Sequence, residues 1–430
     1  MKPSKYNYVI PYEDNVIFYN GLTEKFFSVR ADHKDTYEAI LSSPDDYDAH
    51  VHFFIEKMKS YGFILDDATD EMTLVREKFE AQRMSHQYFL MVLPTYQCNL
   101  RCWYCIQNHE NMFMADDTLE NIKKRIILKL ENPDITEFYL SWFGGEPLLA
   151  YDKVLELTSF ARDFCHKNGK KFSCGITTNG TLLTPSRIEA LREAGVGHYQ
   201  ITIDGDRETH NSIKQLGNGI AYDTTLSNIN LIAKHSHVNL RFNYTHENLK
   251  PDSIFSSLRS VLNPEITENI TFTIFKVWQE KQELVSNIEV DRLFNLSKQT
   301  GMRPSLSTTG LCYTDRVHFD CIFPNGYVGK CDNHNPEEMS GILQSDGSIN
   351  WVEDMEVLLY GLHLFDGSQT ECEQCCYLPI CWGPCVAKRE AMLRSEGKIT
   401  CYLSDRKETI ESIVINQCKT ETQNTSCQIL

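Results

Sequence analysis

Between Tyr88 and Val277 the chain alternates six times between short strand-like runs and longer helical patterns, and no other feature restricts its fold as strongly. The strand-like runs are 88–94, 136–143, 171–178, 197–203, 238–244 and 270–277. Helical patterns fill the intervals, among them Asp116 to Leu130, Asp152 to His166, Pro185 to Ala194 and Asp223 to Lys234. The third is well punctuated, with Thr184 as N-cap, Pro185 at the first helical position and Gly195 just past the end. Repeats of this kind predict an α/β fold, a parallel sheet with outer helices forming a barrel or part of one. In such folds the chemistry gathers at the carboxyl ends of the strands.

The loop after the first of these strands reads CNLRCWYC, with Cys98, Cys102 and Cys105 spaced C-x3-C-x2-C. Three thiolates are one fewer than a closed four-ligand iron-sulfur site needs, so one iron of a cubane cluster would stay open for a substrate or cofactor. The alternative is a zinc site completed by His109. The chain has 16 cysteines and no secretory signal, and such density reads first as metal or cluster ligation rather than disulfides. Cys312, Cys321 and Cys331 form a second group, and Cys372, Cys375, Cys376, Cys381, Cys385 and Cys401 a third. Cys165, Cys174, Cys418 and Cys427 stand apart and read as inert buried thiols or tail residues.

A length of 430 residues implies two or three domains. Residues 1–66 read as a small module of short strands followed by helices near Lys34 to Ser42 and Tyr47 to Tyr61. The charged interval 67–87 reads as a linker, 88–300 as the barrel, 301–410 as a cysteine-rich domain and 411–430 as a tail. A net charge of −17 without a basic stripe argues against nucleic acid. No run approaches eighteen uncharged apolar residues and no targeting segment is visible, so no membrane partner is expected and the cytoplasm is the expected compartment.

CNLRCWYC after the first strand of a β-α barrel resembles the signature of radical S-adenosylmethionine (SAM) enzymes. The resemblance continues through FGGEP (Phe143 to Pro147), TTNG (Thr177 to Gly180) and TIDG (Thr202 to Gly205) at the next three strand ends. It implies a 4Fe-4S cluster on Cys98, Cys102 and Cys105 whose open iron chelates SAM, and reductive cleavage to a 5′-deoxyadenosyl radical. It further implies methionyl-amine contacts from Gly144, Gly145 and Glu146, and ribose or carboxylate contacts from Thr178, Asn179 and Asp204. Asn243 lies at the fifth strand end, and Tyr104 matches the aromatic that packs near the adenine.

Cys372-x2-Cys375-x5-Cys381-x3-Cys385, preceded by Cys312-x13-Gly326-x4-Cys331 and followed by Cys401, resembles the seven-cysteine SPASM pattern. By that resemblance Cys372, Cys375, Cys381 and Cys401 bind one auxiliary 4Fe-4S cluster, and Cys312, Cys331 and Cys385 bind another, giving three clusters in all. A pair of zinc-ribbon-like knuckles is the alternative. FDCIFPNGYVGKC reads as a hairpin that brings Cys321 toward Cys331 as an added ligand, while Cys376 is expected not to ligate. Asp332 matches a residue that serves as general base in the sulfatase-maturase branch.

Residues 6–65 resemble a PqqD-like recognition element, which binds the leader of a ribosomal precursor peptide by adding it as a strand. The resemblances together imply a radical SAM/SPASM peptide maturase. Its expected partners are that precursor and a one-electron reductant such as flavodoxin or ferredoxin, and its expected product is a thioether, carbon-carbon or carbon-oxygen crosslink. The alternatives are an anaerobic sulfatase-maturating enzyme forming formylglycine, and a non-enzymatic Fe-S or zinc protein.

Overall fold

The computed structural model of the protein describes residues 1–47, 51–107, 109–217, 219–277, 279, 287–306, 311–332, 340–352, 371–401, 410, 411, 414, 415 and 418, so Cys427 and most of the expected tail lie outside the described residues. The chain divides into two compact units. One comprises Met1–Met84, Thr308–Val317 and Glu356–Leu430, the other Ser85–Ser307 and His318–Met355.

The first unit opens with β1 (Lys2–Pro3) and an antiparallel meander of β2 (Asn7–Tyr12), β3 (Asn15–Asn20) and β4 (Lys25–Arg30). Helices α1 (Lys34–Ser42) and α2 (His52–Ser60) follow, and β5 (Ile64–Leu65) returns to pair with β1. Strand alternation sorts the side chains onto two faces. Val16, Phe18, Phe27 and Val29 pack with Ile40, Leu41, Ile55 and Met58 of the helices. Tyr8, Ile10, Ile17 and Tyr19 of the opposite face pack with Ile410, Val414 and Cys418. The sheet is therefore covered on both sides, and Cys418 is a buried thiol within the fold.

The interval expected as a linker contains α3 (Glu71–Arg83), capped by Asp70, whose carboxylate accepts from the Met72 amide at 3.0 Å. Its Val75 and Phe79 are buried with Tyr6, Cys372, Leu378 and Trp382. Met72, Val75 and Phe79 recur at helical spacing, and the many charges between them hide that stripe in the sequence.

In the second unit each expected strand is present. The order along the chain is β6 (Gln87–Val92), α4 (Asp116–Leu130), β7 (Glu137–Trp142), α5 (Tyr151–Lys167), β8 (Lys171–Thr178), α6 (Pro185–Ala194), β9 (Val196–Ile203), α7 (Arg207–Lys214), α8 (Ala221–Ile232), β10 (His237–Tyr244), α9 (Pro251–Arg259), β11 (Ile270–Lys276), α10 (Asn287–Gln299) and β12 (Arg303–Leu306). All of these strands pair in parallel with their neighbours. The sheet is a partial barrel whose outer face, with Leu90, Leu140, Trp142, Ile201, Leu240 and Phe272, is buried in one apolar cluster with the helices.

Residues 318–355, grouped in sequence with the C-terminal cysteines, extend this same sheet. β13 (Phe319–Ile322) pairs in parallel with β6, and β14 (Tyr327–Gly329), β15 (Gly341–Leu343) and β16 (Ile349–Trp351) continue as an antiparallel meander. A buried ionic cluster locks the junction. Asp320 Oδ2 accepts from Tyr88 Oη at 2.8 Å and from Arg125 Nη2 and Nε at 2.9 and 3.0 Å. Burial alone would raise the Asp320 pKa, but Arg125, with Lys129 and Lys330, holds it down to about 2. No helix among the described residues is long and apolar enough to cross a membrane.

Candidate active site

The cysteine loop leaves β6 and is closed at its base. Thr95 bridges Phe113, the Tyr96 amide donates to Met112 O at 3.2 Å, and the Met114 amide donates to Pro94 O at 2.8 Å. Inside it Cys98 and Cys102 are partly buried and Cys105 is exposed. Burial pushes the Cys98 thiol up to about 11 and also raises Cys102, where the nearby Lys214 ammonium opposes the effect. His109 Nε2 stands 3.3 Å from Cys105 Sγ. Among the described residues, however, no three His, Cys, Asp or Glu side chains converge on a point that would hold a single metal ion. A cubane cluster makes no such demand, because each thiolate binds a different iron. Three thiols spread along one loop fit such a cluster.

The FGGEP turn lies directly against this loop. Gly145 and Glu146 donate their amides to Thr95 O and Gln97 O at 3.1 and 2.7 Å. A Cβ on Gly145 would stand 2.1 Å from Gln97 O, and one on Gly144, where φ is +120°, would stand 2.6 Å from Thr95 O. Only glycine permits so close a backbone approach. Glu146 is fully buried, and its carboxylate accepts from Thr178 Oγ1 at 2.8 Å, the Asn179 amide at 2.8 Å and the Leu148 amide at 3.1 Å. It thereby joins the end of β7 to the end of β8. Asn179 continues the linkage, with Nδ2 donating to Asn99 Oδ1 at 2.9 Å and standing 3.8 Å from Cys98 Sγ.

The fourth loop closes the ring of contacts. Tyr104 Oη donates to Asp204 Oδ1 at 2.5 Å, and Lys214 Nζ lies 3.0 Å from Asp204 Oδ2 and 3.2 Å from Tyr104 Oη. Burial alone would lower the Lys214 pKa, yet Asp204 and Tyr104 hold it well above its ordinary value. His210 accepts from the Asp204 amide at 3.2 Å, and burial depresses its pKa to about 3, so the ring is neutral. Asn243, at the end of β10, accepts from Arg241 Nε at 2.9 Å, and its carbonyl accepts from Asn248 Nδ2, which also bonds Asp204 O. Tyr104, Gly144, Gly145, Glu146, Thr178, Asn179, Asp204 and Asn243 thus meet at one end of the parallel sheet, around Cys98, Cys102 and Cys105.

Lys214, His210 and Arg241 belong to this neighbourhood and were not singled out from the sequence. Arg241 had a signal. It occupies an alternate position of the β10 run VNLRFNY, on the face opposite to the apolar residues Leu240 and Phe242. Lys214 had none, since a lysine at a helix end is ordinarily solvated.

The remaining cysteines divide between the units. In the barrel unit the expected hairpin forms, with Cys321 opposite Gly329 and a positive φ at Gly326. Cys321 is fully buried and its pKa is raised well above normal by that burial, with Asp332 and Cys331 adding to the effect. Asp332 O lies 3.5 Å from Gln107 Nε2 of the cysteine loop. In the other unit Cys372 opens a helical turn, Cys381 closes the short helix Leu378–Cys381, and Cys385 precedes the helix Val386–Glu396. Cys375 is drawn down to about 6, first by its bond with Cys376. Cys312 bonds Thr314 Oγ1 at 3.3 Å, and Cys401 is exposed.

Residues 92–252 match the model of the radical SAM superfamily. The chain is 23% identical over 357 residues to the radical SAM cyclopropyl synthase TigE of Paramaledivibacter caminithermalis, covering 70% of this chain and 71% of that protein. It is 25% identical over 365 residues to a serine-type anaerobic sulfatase-maturating enzyme of Bacteroides thetaiotaomicron, covering 70% and 83%. Its fold resembles the solved structure of anSMEcpe with bound AdoMet and the Kp18Cys peptide, with a TM-score of 0.58 at 19% identity over 78% of this chain and 99% of that one. The superfamily implies SAM and a 4Fe-4S cluster, and the cysteine-rich C-terminus fits an auxiliary-cluster domain. With four motif loops interlocked at the strand ends of a partial barrel, residues 92–252 form a radical SAM domain, and the chain is an enzyme.

Proposed function

We propose that this enzyme is a SPASM-type maturase that modifies a ribosomally made precursor peptide. The carrying observation is the interlocked set of loops: Cys98 to Cys105, Gly144 to Glu146, Thr178 to Asn179 and Asp204 bond one another directly, so the mouth of the barrel is organised as one site. Cys98, Cys102 and Cys105 would hold the cluster, and the surrounding strand-end residues would hold SAM. SAM held there, with one electron from the reduced cluster, would supply the 5′-deoxyadenosyl radical needed for hydrogen abstraction from the substrate. The protein supplies orientation, exclusion of water and a proton acceptor. Asp332, one residue beyond Cys331 and with its backbone carbonyl 3.5 Å from Gln107 Nε2, would be that acceptor.

Two auxiliary clusters on Cys312, Cys321, Cys331, Cys372, Cys375, Cys381, Cys385 and Cys401 would accept the substrate electron, with an external flavodoxin or ferredoxin as reductant. The product most in keeping with this reading is a crosslink. The sheet of β2, β3 and β4 supports leader recognition, because β4 has no second strand neighbour among the described residues and offers an edge. The similarity to a sulfatase-maturating enzyme favours a second reading, oxidation of a single residue in a protein substrate.

Co-expression with a precursor peptide under anaerobic conditions, followed by mass spectrometry, tests the proposal. A loss of two hydrogens with two residues joined supports the crosslinking maturase. Formylglycine in a sulfatase peptide, with the precursor unchanged, supports the second reading. Failure of the reduced protein to cleave SAM would defeat both.

A further inference from the structure

The inner face of the barrel carries a cation, Arg241, that has no ion-paired carboxylate among the described residues. In closed β-α barrels the interior is filled by branched apolar side chains. Here, across β8 to β11, it is filled by amides and hydroxyls that satisfy one another. Gln200 Nε2 donates to Thr177 Oγ1 at 3.4 Å, Asn239 Nδ2 to Gln200 Oε1 at 3.2 Å, and Thr273 Oγ1 to Asn239 Oδ1 at 2.6 Å. One pleat nearer the strand ends, in register with Thr202 and Thr273, sits Arg241. The floor beneath it has its oxygens already bonded.

Arg241 uses only part of its donor set. Nε donates to Asn243 Oδ1, and the guanidinium carbon lies 3.7 Å from the centroid of the Phe275 ring, which covers one face. Neither Nη nitrogen has a hydrogen-bond acceptor or a paired carboxylate among the described residues. Burial lowers the Arg241 pKa, and the acidic groups that oppose this, Tyr104, Asp332 and Asp204, act only through space. Of these, Asp204 is already engaged by Lys214. A partly buried guanidinium with two unused donor groups is a costly arrangement unless an anion arrives to meet it.

We propose that Arg241 is a specificity residue that receives a carboxylate of the peptide substrate, its planar fork pairing with both oxygens while Phe275 and Asn243 hold the plane in place. A single guanidinium, with Lys214 already paired to Asp204, suits a carboxylate better than a phosphate dianion. Its depth also separates it from the loops at the mouth. It lies two residues below Asn243, about 7 Å down the strand, so its ligand reaches into the lumen. The carboxylate belongs either to an acidic side chain or to a peptide C-terminus. This inference rests on the peptide reading above.

The test uses the full chain, reconstituted anaerobically and loaded with SAM, and three N-acetyl tripeptides: Gly-Glu-Gly amide, its isostere Gly-Gln-Gly amide, and Gly-Gly-Gly with a free carboxylate. The wild type should bind one of the two acidic peptides about tenfold more tightly than the Gln peptide, and which of the two identifies the source. Arg241→Gln should abolish that preference with SAM affinity unchanged, and Arg241→Lys should retain part of it. Equal binding of acidic and neutral peptides by the wild type, or no binding of either, would overturn the inference. So would an Arg241→Gln or Arg241→Lys protein that loses affinity for SAM and keeps the acidic preference, since the guanidinium would then serve the carboxylate of SAM. The wild-type comparison stands even if a variant fails to fold. Acidic preference without any mass change in a co-expressed precursor would break the maturase reading and leave the subsite in place.

Discussion

In the barrel unit a continuous apolar cluster runs from Tyr88 on β6 to Leu343 on β15, and nearly every helix contributes to it. In the other unit the described buried apolar groups fall into three small clusters. The cysteine-bearing segments there add only a few members to them, notably Cys372, Leu378 and Trp382 against Tyr6, Val75 and Phe79. The barrel unit has enough buried surface to fold by the hydrophobic effect. The other unit joins the ends of the chain through α3 and the face of β2 and β3, and among the described residues its cysteine-rich part adds few apolar side chains to those clusters. Inorganic ligands are the natural supplement where the core is thin. Under the function proposed above, the metal sites would have opposite relations to the fold: at the barrel mouth the protein would organise the site, and in the other unit the site would help to organise the protein.

The sharpest way to break this contrast is Cys102→Ala. It should abolish SAM cleavage to 5′-deoxyadenosine while the barrel remains folded and the C-terminal clusters remain loaded. Normal cleavage by this variant would show that the loop does not hold the reactive cluster.

Removal of iron comes next in expected effect. The loaded protein should carry about twelve irons in three clusters. Stripping them should open residues 371–401 to proteolysis and leave the barrel resistant. Stoichiometric zinc with only about four irons would instead identify the C-terminal cysteines as zinc knuckles.

Within the barrel, Asp320→Asn should destabilise by about 3–5 kcal/mol in urea unfolding at pH 7, because Arg125 would be left buried and unpaired. The sign of its pH dependence follows from the depressed pKa. The stabilisation is fully present above the ordinary carboxylate value of about 3.9 and is lost as pH falls through about 2. The gap between wild type and variant should therefore narrow in acid, and a constant gap would mean that Asp320 acts through shape alone.

The smallest effect sharpens the claim that the barrel depends on many modest terms. Thr184 caps α6 by accepting from the Arg187 amide at 3.3 Å, and Thr184→Ala should cost about 1 kcal/mol in the same unfolding measurement, with SAM cleavage unchanged.

The legibility of the two units in the sequence follows the same division. The strands from Gln87 to Lys276 and the punctuation of α6 could be read directly, because period-two runs, caps and glycines are local signals. The four motif loops were legible for a related reason, since each follows a strand. What stayed hidden depends on distant partners. α3 looked like a linker because its apolar stripe is diluted by charge, and only Tyr6 and Trp382 reveal what it buries against. Residues 318–355 looked like part of the cysteine-rich domain because Cys321 and Cys331 fall within the spacing pattern of the later cysteines, although β13 extends the barrel sheet. Lys214 was invisible because its partners, Asp204 and Tyr104, lie 10 and 110 positions away.

The pairing of β13 with β6 also fixes a distance. β6 leads into the loop of Cys98 to Cys105, and β13 carries Cys321 opposite Met91 in the adjoining ladder. A redox centre on Cys321 or Cys331 would be separated from the loop by neighbouring strands of a single sheet, which act as a ruler that thermal motion scarcely stretches. Electron tunnelling between two such centres would then be timed by their relative potentials.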